Sequence, residues 1–174
     1  RAYVLYREER TKERARFKQK LVTDTPENSL YVLDNGQKVL LDTTKLAALI
    51  ESSCVGLGDA VDASLILKAT LKDLYDGVPL DEVRKSTILS ARVLIEKDPA
   101  YSYVTARLLL NNMRHEVLGE ETTQQAMKAQ YKDYFPTFIK RGIEAGLLDE
   151  RLAQFDLPRL ADTLEADRDL QFDY

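Results

Sequence analysis

From Leu46 to Val117 apolar residues recur three and four positions apart, and glycine or proline cuts the run into short pieces. That spacing lines up one apolar stripe per piece in a helix and does not suit a strand, where neighbours alternate between faces. The first piece carries Leu46, Leu49, Ile50, Cys54 and Leu57 and stops in Gly56 to Gly58. The second runs from about Ala63 to Asp76, with Leu67, Leu71, Leu74 and Tyr75 on one face and Gly77 as its stop. A third begins after Pro79, carries Val83, Thr87, Ala91 and Leu94, and breaks at Asp98-Pro99. The fourth, Tyr101 to about Leu118, has Tyr103, Ala106, Leu110, Met113 and Val117 on one side and Val104 and Leu108 on another, which predicts the most buried helix. Four helices with short connections predict a bundle.

Before them, residues 30–41 alternate weakly around Asn35-Gly36. Asn-Gly tolerates the two positive φ angles of a type I′ turn, so a hairpin with strands Tyr31–Leu33 and Lys38–Leu41 is expected. Asp42 can cap the first helix of the bundle by accepting from its free amides. The fold class is therefore mainly α, a four-helix bundle capped by a small hairpin or sheet. After Gly119 an aromatic-rich helix interrupted by Pro136 is expected, then a shorter one around LPRLADTLEADRDL.

Residues 1–20 hold eight Arg or Lys against three Glu, a charge of +5; since the whole chain carries -4, the remainder carries -9. The segment has no Gly or Pro and reads as a helix with its apolar residues crowded into the first six positions; a solvated helix is favoured over a basic arm. LVTDTPENS, residues 21–29, reads as a linker. No apolar run approaches the roughly 20 residues of a membrane span. One cysteine rules out an internal disulfide framework and a multi-cysteine zinc site, and with no signal peptide visible a reducing cytoplasm is expected. The start at Arg1, followed at once by AYVLY, reads as the interior of a larger protein.

No HExxH, GxxxxGK[ST] or GxGxxG occurs, and a single histidine gives no convincing Ser-His-Asp set. Cys54 lies in an apolar stripe without an evident base, which favours a small core hydrophobe over a nucleophile. Asp73 and Asp76, or Asp81 and Glu82, lack the His or Cys partners of a metal site, leaving only magnesium held through phosphate. His115 sits between Arg114 and Glu116 and reads as a polar-face residue, although it could titrate near neutrality. Lys45, in a first helical turn, is either a solvated lysine or a phosphate contact beside free amides. Nothing looks catalytic.

Residues 30–118 resemble an ATP-cone, the regulatory nucleotide-binding module at the amino end of many ribonucleotide reductases. The resemblance rests on the hairpin ending at Gly36, the helix-opening Lys45, LKDLYDGVPLDEV, and DPAYSYVTARLLLNNMR, in that order. FIKRGIEAGLLDERLAQFDLPRLADTLEADRDLQFDY resembles the stretch that joins the cone to the catalytic core in the large (alpha) subunit of class I ribonucleoside-diphosphate reductases. RAYVLYREER resembles the last helix of a separate, preceding cone, where Tyr-x-x-Tyr-Arg is typical. The resemblance thus implies the end of one cone in residues 1–20, a linker in 21–29, a second cone in 30–118, and the helical start of the reductase core in 119–174. It implies as partners the alpha-subunit core, the preceding cone, further copies of the subunit and, for the parent, a radical-generating beta subunit; membranes and nucleic acid are not implied. Reduction of ribonucleoside diphosphates would belong to a barrel beyond Tyr174, so this stretch alone is expected to be inactive.

Cones that bind nucleotide usually turn on Lys-Arg-Asp-Gly, with the cations beside the phosphates; the aligned residues here are Leu33, Asp34, Asn35 and Gly36. Asp34 would repel a triphosphate, by roughly 1 kcal/mol at about 4 Å in water and by more where solvent is excluded. Leu80 stands where the family often has a capping Thr, Arg84 where His is common, and His115, flanked by Arg114, at a Lys position. Lys45 matches. The resemblance implies a degenerate cone that acts in packing or subunit interaction. The alternative is an altered cation set of Lys45, Arg84, Arg114 and His115 that takes ATP or dATP with magnesium as an allosteric effector. A third reading, nucleic-acid binding by the first helix, lacks interleaved aromatics beyond Phe17.

Overall fold

The computed structural model describes residues 30–119, 122 and 124–174. The helix expected in residues 1–20 and the linker 21–29 lie outside the described residues. The described chain falls into two compact units, residues 30–42 with 74–80, and residues 43–73 with 81–174.

The first unit is a sheet. Strands β1 (Tyr31–Asp34) and β2 (Gln37–Leu40) pair antiparallel, with Tyr31 opposite Leu40 and Asp34 opposite Gln37. The turn between them puts Asn35 at φ 48° and Gly36 at φ 81°, the two positive angles for which this dipeptide is suited. Both strands end one residue away from the expected limits. A third strand, β3 (Val78–Pro79), pairs parallel with β1, Val78 opposite Val32, to give the order β2-β1-β3. Two residues carry no periodicity, so sequence pattern could not reveal this strand. Its proline is tolerated because β3 lies at the edge of the sheet. Val32 and Val78 are buried, whereas Tyr31 and Leu33, on the opposite face of the pleat, are exposed.

Asp76 binds this sheet together. Its carboxylate accepts from the Tyr31 amide (3.1 Å) and from Lys38 Nζ (2.9 Å), so one residue beside β3 touches both other strands. Lys38 also lies 4.7 Å above the centre of the Tyr31 ring. Gly77, at φ 79°, donates its amide to the Tyr31 carbonyl at 2.8 Å and so delivers the chain into register with β1.

Among the described residues the α-helices are α1 (Thr43–Cys54), α2 (Ala63–Asp73), α3 (Leu80–Val93), α4 (Tyr101–Leu118), α5 (Met127–Glu144) and α6 (Leu157–Asp162), all but the first residue of α3 in the second unit. Helix α1 packs against α2 and α4, and α5 against α6. The protein is mainly α with a small sheet, as expected, and α4 has the limits its periodicity indicated. Val83, Thr87, Ala91 and Leu94 are buried, also as expected.

Three details depart from the sequence pattern. Helix α2 ends at Asp73, and its buried face is Ile66 and Thr70; Leu67 and Leu71 are half-buried, and Tyr75 is 54% exposed. The leucine count hid this face because Thr70 looks polar, yet its hydroxyl donates to the Ile66 carbonyl at 2.9 Å and enters the core already satisfied. Thr87 and Thr105 do the same toward Val83 and Tyr101, each at 2.8 Å. In α4 the buried side is Tyr101, Val104, Thr105, Ala106 and Leu108, while Met113 and Val117 are 51% and 55% exposed. Burial is thus concentrated in the first half of that helix. Finally, α5 continues through Pro136, whose missing N–H removes one intrahelical bond without ending the helix.

These burial patterns distinguish two adjacent side chains. Ile66→Ala, at a site with no exposure, is expected to cost about 3 kcal/mol by urea unfolding. Leu67→Ala is expected to cost about 1 kcal/mol, because a half-buried side chain has less area to lose. Equal losses would show that the leucine stripe, not Ile66 and Thr70, faces the core.

Candidate functional site

At the hairpin turn, Leu33 is exposed and the Asp34 carboxylate accepts from the Asn35 side-chain amide at 3.1 Å. The turn therefore presents an apolar residue and an anion. Lys45 occupies the first turn of α1 and is exposed. These two features lie in different units.

Within the second unit the structure brings two of the named residues together. Arg84, on α3, has an Nη2 atom 3.1 Å from His115 Nε2 on α4, and its Nη1 donates to the Asp81 carboxylate at 3.0 Å. A guanidinium can only donate, so this contact requires an unprotonated Nε2 on His115, with the ring proton on Nδ1. Arg84 is held between an acid and an imidazole, its side chain 15% exposed.

Arg114 faces elsewhere. Consecutive helical residues point about 100° apart, and where His115 meets Arg84, Arg114 meets the far end of the chain. Its Nη2 donates to Gln124 Oε1 at 2.8 Å and to the Asp169 carboxylate. Asp169 also accepts from the Tyr131 hydroxyl at 2.5 Å, and Gln124 donates to the Ala166 carbonyl at 2.8 Å. Burial, and then the Asp169 carboxylate, push the Tyr131 phenol above its ordinary value, because both disfavour a phenolate. Arg114, Asp169, Tyr131 and Gln124 thus form a partly buried polar cluster that consumes one of the four candidate cations. Sequence reading missed its other members, since nothing local connects Asp169 to α4.

Arg107 was missed as well. Its Nη1 donates to the carbonyls of Ser53 (3.0 Å) and Val55 (2.8 Å), two acceptors at the C-terminal end of α1, and its Nη2 reaches the Leu170 carbonyl at 3.4 Å. The available signal was one arginine on the most apolar stretch of α4, VTARLLL. Cys54, at the end of α1, is half-buried; burial raises its thiol above the ordinary range and outweighs the lowering by Arg107. This is the setting of an inert thiol. Among the described residues no group of three or more His, Cys, Asp or Glu could hold a metal ion, and no helix is long and apolar enough to cross a membrane.

No protein-family model matches the chain. Over 99% of its length it is 33% identical to a ribonucleoside-diphosphate reductase subunit alpha of Chlamydia muridarum, 32% to that of Chlamydia trachomatis and 31% to that of Chlamydia pneumoniae. The chain spans 17% of the length of these relatives. Its homologues are thus reductase subunits. What it matches in them is the amino-terminal region of ribonucleoside-diphosphate reductase subunit alpha.

The Asp76 bonds make the sheet sensitive to acid. Hydrogen bonding from Lys38 and the Tyr31 amide holds the folded carboxyl below the ordinary 3.8. A depressed carboxyl contributes stability that is complete above the unfolded value and is lost as pH falls through the folded one. Denaturant midpoints measured from about pH 6 down to about pH 2 should therefore fall less steeply below pH 3.8 in Asp76→Asn than in the parent chain. Identical acid limbs would mean that Asp76 is not bonded this way.

Proposed function

We propose that the chain is a regulatory and structural amino-terminal region of a ribonucleoside-diphosphate reductase alpha subunit, and that residues 30–118 are an ATP-cone-like domain that no longer takes nucleotide. In this reading residues 1–20 close a preceding cone, 21–29 link the two, and 119–174 begin the reductase core. The parent is a cytoplasmic oxidoreductase that makes deoxyribonucleotides for DNA synthesis with a radical-generating beta subunit. The domain's work is packing against the alpha-subunit core, the preceding cone or another copy of the subunit. The observation that carries the reading is the direction of Arg114: its charge is met by Asp169, so it is not offered to a phosphate. The turn adds to this, since Leu33 and Asp34 supply no cation and Asp34 repels an anion.

A second reading has one observation in its favour. Arg84 and His115 stand 3.1 Å apart on facing helices, a pairing from which an altered effector site for magnesium-bound ATP or dATP could be assembled with Lys45. Calorimetric titration separates the two. The expected outcome is no saturating heat at micromolar ATP or dATP, in the parent chain and equally in Leu33→Lys with Asp34→Arg. Saturable micromolar binding that disappears in Lys45→Ala would establish the second reading instead.

A further inference from the structure

Residues 166–174 run antiparallel along α4 and are fastened to it at three places. Ser102 Oγ donates to the Tyr174 carbonyl (3.1 Å) and accepts from the Tyr174 amide (2.9 Å). Arg107 Nη2 donates to the Leu170 carbonyl at 3.4 Å, and Arg114 Nη2 to the Asp169 carboxylate. The first two fastenings use only backbone atoms of the segment, so they would accept almost any residue. The third depends on the identity of Asp169, which Tyr131 holds from the other side at 2.5 Å. Arg92 of α3 adds a cation over the Tyr174 ring, 5.4 Å from its centre.

Apolar burial contributes little here. Ala166, where Gln124 grips the backbone, is buried; Asp169 is half-buried, and the remaining residues from Asp167 to Tyr174 are exposed. Elements held by polar anchors over so little buried surface are those that open locally, below the cost of unfolding the whole. Helix α4 would not follow such an opening, because Tyr101, Val104 and Leu108 remain buried and Arg107 keeps its bonds to Ser53 and Val55.

We propose that residues 166–174 are a releasable strap across α4, latched by Asp169 between Arg114 and Tyr131. Closed, the strap neutralises Arg114; open, it leaves the helix in place and the guanidinium without its carboxylate partner, Gln124 being outside the strap. The strap thereby sets whether Arg114 has a carboxylate partner, and it stands whether or not the domain takes nucleotide.

Hydrogen exchange followed by mass spectrometry on the full chain tests this directly. In Asp169→Asn, peptides covering residues 166–174 are expected to exchange about tenfold faster, the loss of a charge-assisted bond, while α1 and α3 keep their parent rates. Unchanged strap exchange would overturn the latch. A uniform rise across every helix would overturn the strap as a separately opening element. Should Asp169→Asn not fold, two measurements decide. Tyr131→Phe removes one arm of the latch and is expected to speed strap exchange about threefold, with no effect overturning the latch. In the parent chain, strap amides must exchange faster than those of α4 from Val104 to Leu108; equal protection would show that strap and helix open only together.

Discussion

The helical unit depends on the Arg107 guanidinium. A helix ends with carbonyls that have no partner within it, and after α1, where Gly56 turns the chain at φ 81°, Arg107 donates to those of Ser53 and Val55 from the facing helix. The same group reaches Leu170, so one side chain of α4 touches the end of α1 and the chain's final segment. A lysine would have the charge but not the planar fork that serves several acceptors at once. Cys54 lies half-buried beside this cation, and burial raises its thiol by more than Arg107 lowers it.

Three buried threonines follow a similar rule and enter the core already satisfied, whereas the buried Thr122 hydroxyl has no hydrogen-bond partner. Thr70, Thr87 and Thr105 turn their hydroxyls back on their own helices, so each offers the neighbouring helix a methyl group rather than an unmet donor. Helices of modest hydrophobicity can then pack closely. The same economy bears on the candidate site. Arg84 is matched by Asp81 and His115, and Arg114 by Asp169 and Gln124. Cations so placed hold helix positions.

Periodicity and punctuation revealed most of the fold. Helix α4 and the Asn35-Gly36 turn were legible because each depends on contacts or dihedral preferences within a few residues. Strand β3 was not, since Val78 and Pro79 acquire their role from β1, far back in the chain. The buried face of α2 was misread for a different reason: side-chain polarity stood in for burial, and Thr70 hides its polarity locally. Arg84 and His115 could be named because the resemblance to the ATP-cone pattern singles out both positions. The Arg114 partner could not, because Asp169 is separated from it by 55 residues, and no short-range signal says which carboxylate an arginine will choose.

The sheet also governs when the chain can become native. The hairpin closes locally through a two-residue turn, on a timescale of about microseconds. Its third strand arrives from much farther away, with Asp76 separated from Tyr31 by 45 residues. Long loops close late, after the intervening segments have shortened the path by becoming helical. Until then one edge of β1 stands bare, with Val32 uncovered, and in a crowded solution such an edge invites pairing with another chain. Rapid formation of α1 and α2 is therefore a protection against misassembly as well as a contribution to stability.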